Sequence, residues 1–102
     1  MTDDAVAGLR LLPWEGPNGK PVYAPDGNPE GVIARLADSM EREQLATASG
    51  TLELARQMLA VTEPLSPDQS RFVVGRLCNV LSNTLRIAES RGMRLTTGGA
   101  DA

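Results

Sequence analysis

Apolar side chains recur at helical spacing over two long stretches of this 102-residue chain, and a short proline-bracketed break separates them. The spacing of three and four predicts one helix over 29–63 and a second over 67–91. Between them, Pro64-Leu65-Ser66-Pro67 ends the first helix and starts the second. Helices joined by so short a connection lie antiparallel against each other. The pattern therefore predicts a long antiparallel helical hairpin.

The two helices differ in their apolar faces. At about 100° per residue, helix two has one apolar stripe: Val74, Leu77, Leu81, Leu85 and Ala88. Val73 and Val80 flank it on one side and Cys78 on the other, while Arg76, Asn79, Ser82, Asn83, Arg86 and Glu89 lie away from it. That is the pattern of an ordinary half-buried helix. Helix one has two stripes. Ile33, Leu36 and Met40 begin one, which Leu54, Met58 and Val61 continue. Leu45, Ala48, Leu52, Ala55 and Leu59 form the other, about 120° around the cylinder. One antiparallel neighbour covers only one stripe. Five medium apolar side chains left in water forfeit roughly 1.5–3 kcal/mol each. A small domain's whole stability is roughly 5–15 kcal/mol. The second stripe thus predicts an interaction surface, covered most economically by a homodimer that completes a four-helix arrangement.

Helix ends are legible as well. Asn28 suits an N-cap, Pro29 the first helical position, and Glu30 the positive end of the dipole. Ser66-Pro67-Asp68-Gln69 reads as a capping box opening helix two, and Gly92 as the residue that ends it. Gly50, inside helix one, suggests close approach of another backbone or a slight bend. Glu41, Arg42 and Glu43 sit where the stripes change phase and read as a solvated patch, with a register-setting contact across a dimer as the alternative.

Ahead of the helices, residues 9–27 change to short apolar runs punctuated by proline and glycine. Asn18-Gly19 is a strong hairpin turn signal. A two-residue turn there sets Pro17 opposite Lys20 and Trp14 opposite Tyr23, giving an aromatic pair that docks on the helices. The prolines at 13, 17 and 21 make an irregular loop the competing reading. Residues 1–8 read as a flexible N-terminus and residues 96–102 as a disordered tail. One domain, 9–95, lies between them.

Composition narrows the chemistry. With no histidine and one cysteine, Cys78, the chain lacks the usual general base and any cysteine pair for a disulfide or zinc site. Cys78 reads as a small core residue, and no regular carboxylate pattern suggests an oxygen-ligand metal site. Gly16, Gly19 and Lys20 do not have phosphate-loop spacing. These features predict no catalytic, cofactor-binding or metal-binding residues. The acidic start Met1-Thr2-Asp3-Asp4 does not fit a secretory leader, and no apolar run is long enough for a membrane span, so a cytoplasmic location is expected.

Net charge is −3, unevenly placed: residues 1–63 carry ten acids and five bases, and residues 64–102 three acids and five arginines. Nucleic-acid surfaces cluster basic residues more densely, so the five arginines support that role only as the alternative to a protein-interaction role. Nine arginines against one lysine suggest a GC-rich genome.

The segment Leu11-Leu12-Pro13-Trp14-Glu15-Gly16-Pro17-Asn18-Gly19-Lys20-Pro21 resembles the opening of a group of small streptomycete proteins. They read L-L-P-W-x-G-P-x-G-K-P, followed by an aromatic residue near a second strand. Arg35-Leu36-Ala37-Asp38 and Arg86-Ile87-Ala88-Glu89-Ser90-Arg91-Gly92 resemble later parts of the same proteins, so the similarity spans roughly residues 9–95. Val22 stands where a cysteine is common, so thiol chemistry does not carry over. The resemblance implies an actinomycete origin and an accessory or regulatory role, and brings no activity with it.

The expectation is a mainly α protein: a short N-terminal β-hairpin-like segment packed on a long helical hairpin, forming a four-helix arrangement as a dimer. Its expected function is a non-enzymatic protein–protein interaction module, an adaptor or regulatory partner. Leu45, Ala48, Leu52, Ala55 and Leu59, with Trp14 and Tyr23, are its candidate interaction residues.

Overall fold

A computed structural model describes residues 8–101, with side chains through Leu95. Strands β1 (Leu9–Glu15) and β2 (Pro21–Pro25) form an antiparallel two-stranded sheet. Helices α1 (Val32–Ala60) and α2 (Pro67–Asp101) follow and pack against each other, and β1 contacts both. No helix among the described residues is long and apolar enough to cross a membrane. The stretch expected to be flexible at the N-terminus lies outside the described residues, apart from Gly8.

The strand connection is wider than a two-residue turn. Gly16 N–H donates to the Lys20 carbonyl at 2.8 Å and Lys20 N–H to the Pro17 carbonyl at 3.3 Å. Asn18 (φ 60°) and Gly19 (φ 73°) supply the left-handed conformations inside this loop, which is why those two residue types stand there. Leu11 pairs with Tyr23 and Glu15 with Pro21, leaving residues 12–14 opposite Val22 alone. The expected pairing of Trp14 with Tyr23 is therefore incorrect. Pro13 has no N–H to give a ladder, and the bulge turns Arg10, Leu11, Leu12 and Pro13 inward as one buried run. Trp14 is half-buried and Tyr23 lies at the exposed edge.

Helix α1 starts later than expected. Asn28 Oδ1 accepts from the Glu30 N–H at 3.2 Å and the Asn28 carbonyl from the Gly31 N–H at 3.1 Å. Asn28 thus closes a turn ahead of the helix, which opens at Val32 without a side-chain cap. The space where Gly50 would carry a Cβ is open, so no backbone approaches it. Gly50→Ala is expected to stabilise the fold by up to about 1 kcal/mol, read from the urea midpoint.

Helix α2 opens with the expected capping box. Ser66 Oγ accepts from the Gln69 N–H at 3.1 Å, and Gln69 Oε1 accepts from the Ser66 N–H at 2.9 Å. Ser66→Ala should lower stability by about 1 kcal/mol, and an unchanged denaturation midpoint would show that the cap carries no weight. The helix does not stop at Gly92 but runs on to Asp101, through residues expected to be a disordered tail. An internal glycine costs only about 1 kcal/mol, and both flanking arginines are anchored. Arg91 reaches Glu41, and Arg94 donates to Ser90 Oγ.

The inward lines of both helices follow alternating steps of three and four. On α1 they are Ala37, Glu41, Gln44, Ala48, Thr51, Ala55 and Met58, all buried or half-buried. On α2 they are Val73, Leu77, Val80, Thr84 and Ile87. The expected core stripe of α2 is thus displaced by one residue: Val74, Leu81, Leu85 and Ala88 point outward, and their flank Val73 and Val80 points in. Alanines and Thr51 on α1 leave room for short β-branched side chains, which the second line supplies.

Candidate interaction surface

The sheet is wedged into the open end of the helical hairpin, and polar contacts hold it on both sides. On the α1 side, Gln44 donates to the Pro13 carbonyl at 2.8 Å. On the α2 side, Ser90 Oγ donates to the Leu11 carbonyl at 2.7 Å, and Arg86 pairs with Glu15 at 2.6 Å. Arg10 crosses to α1, donating to Asp38 at 2.7 Å, to Glu41 at 3.2 Å and to the Ala34 carbonyl at 3.4 Å. Arg91 of α2 reaches the other Glu41 oxygen at 3.4 Å. Glu41 is 2% exposed, so it is not part of the solvated patch expected for residues 41–43, although Arg42 and Glu43 are exposed. Burial lowers the Arg10 pKa, and the hydrogen bonds and charges of Asp38 and Glu41 more than offset it, leaving it above the ordinary arginine value. This cluster ties three elements together.

The other half of the helical hairpin presents a different chemistry. In a right-handed helix the residue after an inward position is turned about 100° to one side. Because α1 and α2 run antiparallel, that rotation carries both sets to the same face. On α1 the set is Asp38, Arg42, Leu45, Ser49, Leu52, Arg56 and Leu59, after Ala37, Glu41, Gln44, Ala48, Thr51, Ala55 and Met58, so leucines alternate there with polar residues. On α2 it is Val74, Cys78, Leu81, Leu85 and Ala88, after Val73, Leu77, Val80, Thr84 and Ile87. Leu52 and Leu59 are 47% and 81% exposed, and Val74, Leu81 and Leu85 lie between 56% and 60%. The opposite face mixes Leu54 and Phe72 with Gln57, Arg76 and Asn79.

Of the residues singled out in the sequence, Leu52 and Leu59 lie on this apolar face, and Leu45 is half-buried at its margin. Ala48 and Ala55 turn toward α2 and are half-buried. Trp14 and Tyr23 belong to the wedge, on separate strands and not opposite each other, since Tyr23 pairs with Leu11. Sequence reasoning found the line from Val74 to Ala88 on α2 but turned it inward, as the buried stripe of that helix. It also missed Arg10, whose signal is a lone cation inside the apolar run Leu9-Arg10-Leu11-Leu12.

A cleft of about 440 Å³ opens beside the sheet, lined in part by Arg10, Asp26, Asp38 and Arg94. Arg10 and Asp38 are bonded to each other and Arg94 to Ser90, so its cations are already engaged. The apolar face is the stronger candidate. No family model, curated protein or solved structure matches the chain, so its role has to be read from its own surface.

Proposed function

We propose that this chain is a non-enzymatic protein–protein interaction module of the cytoplasm that works as a homodimer, as an adaptor or regulatory partner in an actinomycete. The observation that carries the reading is the exposed apolar line of α2, with leucines of α1 beside it on the same face. Leu52, Leu59, Val74, Leu81 and Leu85 together match the apolar centre of a protein interface. The nucleic-acid alternative is weaker, since Arg86, Arg91 and Arg94 are bonded to Glu15, Glu41 and Ser90.

Sedimentation tests the reading. The parent chain is expected to be a dimer at tens of micromolar, and Leu52→Glu, which places a carboxylate on the apolar face, is expected to shift it to monomer. A parent chain that sediments as a stable monomer at that concentration would overturn the homodimer.

A further inference from the structure

We infer that the two copies meet along α2 itself, antiparallel, with Leu85 of one chain opposite Ala88 of the other. This rests on the homodimer reading and goes further by naming the pairing and its register.

The outward residues of α2 are Val74, Cys78, Leu81, Leu85, Ala88 and Leu95, with Gly92 on the same line. Their steps of four and three are those of a coiled-coil seam, repeated without a break over about 32 Å at 1.5 Å per residue. Helix α2 thus has two seams one residue apart, and α1 occupies only the inner one. The corresponding line on α1 is shorter. Its leucines, Leu45, Leu52 and Leu59, alternate with Arg42, Ser49 and Arg56, and one heptad before Leu45 it holds Asp38, which is bonded to Arg10. Only a second α2 presents an apolar line as long as the one to be covered.

Residue size selects direction and register. A parallel pair sets each residue against itself, so two adjacent layers hold two leucines each (81 and 85) and the next two hold only alanines or glycines (88 and 92). Straight helices cannot close on both kinds of layer. The antiparallel pair centred between Arg86 and Ile87 sets Leu85 against Ala88, Leu81 against Gly92 and Cys78 against Leu95. From Cys78 to Leu95 every layer then holds one leucine and one small residue, which gives a constant helix separation over that stretch. A shift of one heptad puts Leu81 against Leu85 and leaves Cys78 with Ala88 and Val74 with Gly92, again uneven. In the proposed register Ser82 flanks Glu89 and Thr84 flanks Arg91, so no like charges oppose each other.

Oxidative crosslinking reads the register directly, using the lone cysteine. Leu95 is exposed, so Leu95→Cys is expected to fold as the parent does. Cys78 and residue 95 of one chain stand about 25 Å apart along the helix. A disulfide needs Cα atoms within about 7 Å, so any bond between them joins two chains. Under copper–phenanthroline oxidation, L95C should run as a covalent dimer on a non-reducing gel, while the parent should stay monomeric. A covalent dimer of the parent would mean a parallel pair, and no covalent L95C from a chain that sediments as a dimer would mean another register or another interface. Either result overturns the proposal. A parent chain that sediments as a monomer removes the homodimer reading as well.

Discussion

Arg10→Met is expected to destabilise the fold by about 3–5 kcal/mol, the cost of stranding one partner of a buried ion pair. Glu41 is left with Arg91 alone, at 3.4 Å and half exposed, inside a site that water barely reaches. Asp38 is half exposed and can return to water, so the penalty falls on Glu41. The double variant Arg10→Met with Glu41→Leu is expected to recover most of the loss. Buried ion pairs replaced by apolar residues of similar volume are often neutral, and here the cluster is incompletely satisfied, since Arg10 Nε has no hydrogen-bond partner. Urea denaturation of the parent, both single variants and the double variant closes the cycle. A loss under about 1 kcal/mol for each single variant would mean that the cluster is hydrated and contributes little.

The helical hairpin could be read from the sequence because its signals are local. The break at Pro64–Pro67 and the capping box at Ser66 depend on neighbours a few residues apart, and both are present as expected. The strand register was less legible, because the bulge at residues 12–14 is fixed by what Leu12 and Pro13 pack into, not by the turn. The face of α2 failed for a related reason. Two lines one residue apart, Val73 to Ile87 and Val74 to Ala88, both satisfy helical periodicity, and the volume available beside Ala48, Thr51 and Ala55 decides between them. Glu41 was misplaced because a charge at a phase change looks solvated until its partner is known, and Arg10 is 31 residues away. In the candidate surface the same limit recurs. Leu52 and Leu59 were visible from spacing within α1, but the residues beside them on α2 emerge only once the two helices are docked.

Leu12→Ala is expected to cost about 2–5 kcal/mol, the range for truncating a buried leucine in a packed core. At the open end of the hairpin α1 offers Ala37 and Glu41, and α2 offers Ile87 and Ser90. Apart from Ile87 these are small or polar, so the bulky apolar filling comes from the wedge, in Leu11, Leu12 and Pro13. Removing three carbons from Leu12 leaves a cavity that neither helix can close, because the Gln44 and Ser90 contacts hold β1 to both arms. The loss should be local. Amide hydrogen exchange is expected to quicken at Ala37 and Ile87 and to change less from Ala48 to Ala55, where α1 packs on α2 without the sheet. Leu52→Ala is the comparison, expected to leave the monomer's stability within about 1 kcal/mol of the parent because that side chain is already wet. An equal effect of the two substitutions on the urea midpoint and on exchange would show that the N-terminal sheet is not what holds the open end together.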